Sequence, residues 1–182
     1  MAKAITLFKI FARQKYKPNE ILYEMNNDLN LTNPSGTFVT SIIGCYNLAT
    51  DEVKLANAGH QPALVKTGDD FIEYPSSSTP LGITKQKNEN AYKLEKFKLN
   101  ASRVYCFTDG FSESLDENKN EIGIEGVKKL INKHQNSSLK NELRNATEEI
   151  KQKSLKKDYK EKGLKEEGGI LEDDLTIIGI GK

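Results

Sequence analysis

The stretch that most limits what this chain can fold into is "TFVTSIIGCYNLATDEVKLANAGHQPALVKTGDDFIEYP", residues 37–75. It is a series of short segments rich in Val, Ile, Thr, Tyr and Phe, side chains that suit a pleated, half-buried surface. Each segment stops at a cluster of turn-forming residues, at 47–51, 57–61 and 67–70. Strands this closely spaced are joined by turns, so the stretch reads as an antiparallel meander.

On either side of it the apolar period changes to that of a helix. In residues 1–14, Ile5, Phe8 and Ala12 recur at helical spacing, and Pro18 opens a second helix on which Ile21, Leu22, Met25 and Leu29 share one face. The segment 75–91, "PSSSTPLGITKQKNENA", is polar and punctuated by Pro and Gly, and reads as a surface loop or flap between strands. Its Lys85 and Lys87 suggest a mobile basic flap that meets an acidic or phosphorylated partner, the other reading being a merely solvated connection. Strands near 92–97 and 102–107 follow, then a short helix in "IEGVKKLINKH" and a longer one with an apolar stripe of Leu139, Leu143, Ala146 and Ile150. The Lys-rich run 151–162 reads as the solvated, fraying end of that helix, and a strand over 175–180 returns to the sheet. There is no internal repeat. Helices, strands, helices and a closing strand give an α+β class in a single domain, 1–182, with helices packed on antiparallel sheet.

Charge and composition narrow the function. Lys and Arg number 27 against 26 Asp and Glu, so the net charge of +1 gives no reason to expect nucleic acid or a membrane surface as the main partner. No run approaches the roughly 18 apolar residues of a membrane-spanning helix, and the N-terminus lacks a signal-peptide cleavage pattern. Cys45 and Cys106 lie in apolar, strand-like runs and read as small reduced core residues, which points to a cytoplasmic setting.

The candidate chemistry sits at strand tips. "VYCFTDGFSES" ends an apolar strand at Asp109, and "LEDDLTIIGIG" places Asp173 and Asp174 just before another. Carboxylates that end neighbouring strands project from rigid backbone, and hard divalent cations take a few such oxygens plus water. The residues by themselves leave a second reading open: Asp before Gly is an ordinary turn, and a pair of Asp before a strand can simply solubilise an edge. "DENKNEIGIEGV" begins like a calcium-binding loop, but Glu121 replaces the Gly of the sharp turn and Val127 the bidentate Glu, which rejects it. His134 reads as a favourable charge at the C-terminal end of a helix.

Four motifs, "FVTSIIGCYNLATDEVKLANAGHQPALV", "STPLGI", "VYCFTDGFSES" and "EDDLTIIGIG", resemble in order and spacing the bacterial PPM-type (type 2C) serine/threonine phosphatases of the sporulation stage II and stress-regulator branch. The resemblance runs from about Met1 to Lys182. It implies an α-β-β-α sandwich of two antiparallel sheets flanked by helices, a two-metal Mn²⁺ or Mg²⁺ site, and hydrolysis of a phosphoserine or phosphothreonine in a regulatory phosphoprotein. By motif, Asp109 and Asp173 are metal ligands, and Asp174 is the lesser candidate of its pair. Gly110 lets the chain turn sharply beneath the metal. Glu113 matches an acidic position after the motif or, on the plainer reading, is a carboxylate at a helix N-terminus. Asn57, Gly59 and His60 of "NAGH" fix a turn and line the cleft edge, as does Gly82 of "STPLGI"; His60 is also a candidate proton donor to the leaving oxygen.

The family's first ligands belong to a "GD" strand motif and a "DxxGHG"-like turn, and neither occurs in these 182 residues. Asp69 and Asp70 fall in a hairpin turn and do not replace them. The expectation is therefore a domain incomplete at its N-terminus, part of a longer phosphatase that could carry an upstream sensor or membrane-anchoring module, and inactive as an isolated chain. The competing reading is a catalytically dead, phosphatase-like domain that binds a regulator.

Overall fold

The computed structural model describes residues 2–14, 16–32, 36–116, 118, 120–135, 137–162 and 175–181, without the side chains of 153–162. The chain is organised as two compact units, Met1–Leu64 with Ile72–Ser102, and Val65–Phe71 with Arg103–Lys182.

The first unit begins with helices α1 (Ala2–Arg13) and α2 (Pro18–Thr32) and continues into strands β1 (Ser41–Asn47) and β2 (Glu52–Ala58). Pro18 opens α2, where its missing N–H has no intrahelical partner to lose and its fixed φ suits the first turn. Ile21, Leu22, Met25 and Leu29 of α2 are all buried, as their spacing predicts. They pack with Ala4, Leu7, Ile43, Ala56, Ala58, Leu81 and Tyr92 in one core. Each such aliphatic side chain contributes about 1.5–3 kcal/mol relative to exposure. On α1 the buried residues are Ala4 and Leu7, while Ile5 and Phe8 are 48% and 40% exposed and Ala12 is exposed. The expected face of α1 is thus corrected by a rotation of about one residue. Apolar residues cover a broad arc of this helix, and α2 takes only half of it.

β1 and β2 form an antiparallel hairpin in register Ser41 to Ala58, and the far side of β2 pairs with β5 (Glu95–Lys98), giving the order β1-β2-β5. The meander is therefore not continuous: β2 does not pair with the strand that follows it. β3 (Ala63–Thr67) and β4 (Asp70–Tyr74) belong to a second sheet of order β4-β3-β6-β7, with β6 spanning Arg103–Phe107 and β7 Ile177–Ile180. The protein is α+β, with two antiparallel sheets and helices. A further correction concerns Cys45, which is exposed on β1 in the same cross-strand row as Lys54 and Lys96. It is not a core residue.

The second unit holds β6, β7, a single helical turn α3 (Asp109–Ser112) and helices α4 (Gly123–His134) and α5 (Leu139–Lys162). Ala146 and Ile150 of α5 are buried. So is Glu142, at 0% exposure, because Tyr105 of β6 donates its hydroxyl to Oε1 at 2.6 Å and Arg103 donates to Oε2. Burial, followed by the hydrogen bond to Glu142, drives the Tyr105 hydroxyl well above its ordinary pKa. Lys66 of β3 is 6% exposed; its ammonium donates to the Gly68 carbonyl and to Gln135 Oε1 at 2.6 Å and lies 5.6 Å from the Phe71 ring centre. Gln135 in turn donates to Asp69 Oδ1 at 2.9 Å, so the β3–β4 turn is tied to the C-terminal end of α4. His134 occupies the last turn of α4 as expected and also meets Glu149 Oε2 at 3.0 Å.

Candidate active site

Both motif turns follow strands, one in each unit. In the first, β2 runs through Asn57 into Gly59 and His60. Asn57 is 2% exposed; its Nδ2 donates to the carbonyls of His60 (3.3 Å) and Gln61 (3.1 Å), and its Oδ1 accepts the His60 N–H at 2.9 Å. The side chain thus stands in for backbone partners that a sharp turn cannot provide. Gly59 has φ +68°, and a Cβ there would lie 2.4 Å from Pro80 Cγ. Its N–H donates to Ser76 Oγ at 2.6 Å, and Ser76 Oγ donates to the Ser78 carbonyl at 2.8 Å. The "NAGH" turn and the start of the 75–91 segment are therefore one hydrogen-bonded assembly. His60 is half-buried, with Nδ1 3.3 Å from the Gln61 carbonyl.

The 75–91 connection itself is pinned at several points, unlike the free flap that its composition suggests. Leu81 forms a two-bond bridge with Val39 (3.0 and 2.8 Å), and Gly82 donates to Asn26 Oδ1 of α2 at 2.9 Å. Asn88 caps the 3₁₀ turn Glu89–Ala91, and the Lys93 N–H donates to Ser77 Oγ at 3.0 Å. Ser76, Pro80 and Asn26 are structural partners that motif reading did not single out. A buried Asn within the apolar face of α2 was the available signal for the last.

In the second unit β6 carries Val104, Tyr105 and Phe107 in the core and ends at Thr108, which has extended backbone and precedes α3. Burial raises the Cys106 thiol to about 11, although the residue keeps some exposure, paired across the strands with the exposed Ile178. Asp109, by contrast, is exposed, in the first turn of α3, and its Oδ1 accepts the Gly110 N–H at 3.1 Å. The Thr108 N–H donates to the Thr176 carbonyl at 2.9 Å and the Thr176 N–H to Thr108 Oγ1 at 3.0 Å, which closes the tip of β6 against the approach to β7. Gly110 is buried and helical and has no positive φ, so the sharp turn expected of it is not made there. Glu113 is the C-cap of α3, its N–H donating to the Asp109 carbonyl at 2.8 Å. It is not at a helix N-terminus. Asp173 and Asp174 lie outside the described residues.

Among the described residues no group of three or more His, Cys, Asp and Glu side chains could surround a cation. Taken alone, then, they do not fit a two-cation centre: the described part of the "TDGFSES" motif brings the exposed carboxylates Asp109 and Glu113, and no third acidic or imidazole group among the described residues joins these two. Nor is any helix among them long and apolar enough to cross a membrane.

The phosphoserine phosphatase RsbU of Bacillus subtilis (strain 168) is 24% identical over 165 residues, which are 88% of this chain and 44% of that protein. The chain therefore spans less than half of this relative's length. The SiaA-PP2C domain of Pseudomonas aeruginosa matches 98% of the chain and 67% of its own, with TM-score 0.75 and 16% identity. The phosphatase domain of the cell fate determinant SpoIIE from Bacillus subtilis, presoaked with Mn, matches 98% of the chain and 72% of its own, with TM-score 0.60 and 16% identity. The fold is thus that of PP2C phosphatase domains. The family model for Stage II sporulation protein E (SpoIIE) matches residues 1–181, and the chain belongs to that family.

Proposed function

We propose that this chain is the larger part of a metal-dependent phosphatase domain that removes phosphate from a serine or threonine of a regulatory protein, with Asp109 and Asp173 among the ligands of Mn²⁺ or Mg²⁺. The observation that carries this reading is the closure of Thr108 on Thr176. Asp109 follows Thr108 directly, and only Asp174 and Leu175 separate Asp173 from Thr176. An exposed Asp109 with only Oδ1 engaged among the described residues, and a second carboxylate three positions before the closure in sequence, suit a hard divalent cation. The sequence relation to a phosphoserine phosphatase and the Mn-presoaked SpoIIE domain support the same reaction class and metal.

Substituting Asp109→Asn or Asp173→Asn in the full-length protein tests the reading. Mn²⁺-dependent hydrolysis of a phosphoserine peptide is expected to fall at least about 100-fold in either variant, the scale on which positioned electrostatic groups act. Near-wild-type turnover in both overturns it. The 182 residues as an isolated chain are expected to bind Mn²⁺ weakly, at one site at most, and to show no turnover, because two close cations repel unless several carboxylates surround them. Calorimetric titration checks this, and two tight sites would contradict it.

A further inference from the structure

Asn26 is 0% exposed, set in the largely apolar buried face of α2, which also carries Asn19. A buried amide needs its donors and acceptor used, and here the partners are specific. Nδ2 donates to the Thr84 carbonyl at 3.0 Å and Oδ1 accepts the Gly82 N–H at 2.9 Å, so one side chain grips the backbone on both sides of Ile83. Asn30, one turn on, donates to Asn26 Oδ1 at 3.0 Å and to its carbonyl at 2.8 Å, which holds the amide in place. Gly82 is at φ +89°, a conformation that the clamp maintains. Just before it, fully buried Leu81 is bridged to Val39.

What this base carries is different in kind. Ile83 is 52% exposed, and Lys85 and Lys87 are exposed with no ion pair among the described residues. An apolar side chain and two unpaired cations, raised on a segment whose backbone is fixed from below, form a contact whose ordering cost is already met by the fold.

We propose that Asn26 is a positioning residue: it clamps the backbone at 82–84 so that Ile83, Lys85 and Lys87 are presented as a preformed contact for an anionic stretch of polypeptide. This inference rests on the phosphatase reading, since the anionic stretch is the phosphoserine-bearing segment of the protein substrate. An amide alone offers a donor and an acceptor side by side at this site. Asn26→Asp keeps the acceptor for Gly82 and loses the donor to Thr84, whereas Asn26→Leu loses both.

The experiment has two arms on the full-length protein. Hydrogen exchange by mass spectrometry reads the clamp without any need for turnover. Exchange over 82–87 is expected to rise about tenfold or more in Asn26→Leu and by less in Asn26→Asp, with the β1–β2 hairpin unchanged. Fluorescence anisotropy with an acidic phosphoserine peptide reads the contact. Affinity is expected to fall about fivefold both in Asn26→Leu and in the surface variant Lys85→Ser with Lys87→Ser, whose fold is not at risk, and by less for the unphosphorylated peptide. Unchanged exchange in both Asn26 variants overturns the clamp, and unchanged peptide affinity in the double Lys variant overturns the contact. Failure of the phosphatase reading is separate: it would appear as turnover that survives in Asp109→Asn and Asp173→Asn.

Discussion

The turn at 57–61 and the turn that opens α3 both end a strand, yet they treat their polar atoms in opposite ways. In the first, Asn57 is sealed from solvent with both ends of its amide bonded to the turn it closes, and Ser76 and Pro80 fill the space around Gly59. In the second, Asp109 faces solvent with one contact among the described residues, to the N–H beside it. Saturation marks a residue that shapes the backbone. A charged group held at a fixed place with an oxygen to spare marks one available to a ligand. On the proposed reading, the difference gives "NAGH" an architectural part and leaves the chemistry to "TDG", although the two motifs look equally functional on paper.

If that contrast is right, the largest stability loss belongs to the first turn. Gly59→Ala places a side chain at positive φ against Pro80, and is expected to cost about 2–5 kcal/mol, combining left-handed strain with overpacking. Denaturant unfolding measures it, and a loss under 1 kcal/mol would break the contrast. Next is Asn57→Ala, which leaves the His60 N–H and two carbonyls without their partner. A loss of about 2–3 kcal/mol is expected, and full activity per folded molecule, measured as kcat on the full-length protein, would sharpen the assignment.

A smaller effect tests the partial burial of Cys106 on the strand that leads to Asp109. Cys106 has its pKa raised from 9.0 to about 11, so between these values the unfolded chain releases a proton that the folded chain retains. Stability contributed by the neutral thiol is therefore complete below pH 9 and is lost as pH rises towards 11, by no more than about 2 kcal/mol. Cys106→Ala should flatten that part of the curve; burial raises the Tyr92 hydroxyl to about 12, so its own loss begins about a unit later. The smallest effect is on Asp109→Asn, whose stability should change by less than about 0.5 kcal/mol, as for other exposed positions. A thermal melt that shifts strongly would place Asp109 among the shaping residues after all.

How much of this was legible depended on whether one local pattern settled the outcome. The buried face of α2 was readable because Ile21, Leu22, Met25 and Leu29 form a narrow stripe with polar neighbours. The face of α1 was not, since periodicity locates an apolar arc but cannot say which half a neighbour will cover, and Leu7 won over Phe8. The strands themselves were readable, but the change of sheet between β2 and β3 was not, because alternation looks the same whichever partner the strand takes. Cys45 misled because cover changes along one face of the strand: Ile43, two residues before it on the same face, is buried, whereas Cys45 opposite Lys54 is exposed. The strand tip at Asp109 was visible as a strand ending in Asp-Gly, while its pairing through Thr108 and Thr176 depends on residues 68 positions apart.

The buried Glu142 has one more consequence, which concerns how α5 can seat on its sheet. A slip of one residue along a helix moves a side chain by about 1.5 Å and turns it by about 100°, which would carry the carboxylate away from both Tyr105 and Arg103 and strand its charge in the core. Neighbouring apolar residues such as Ala146 and Ile150 would tolerate such a slip far better. The acid therefore acts as an index pin: it makes the docking of a 24-residue helix all-or-none, with one seated position and no graded series of near alternatives.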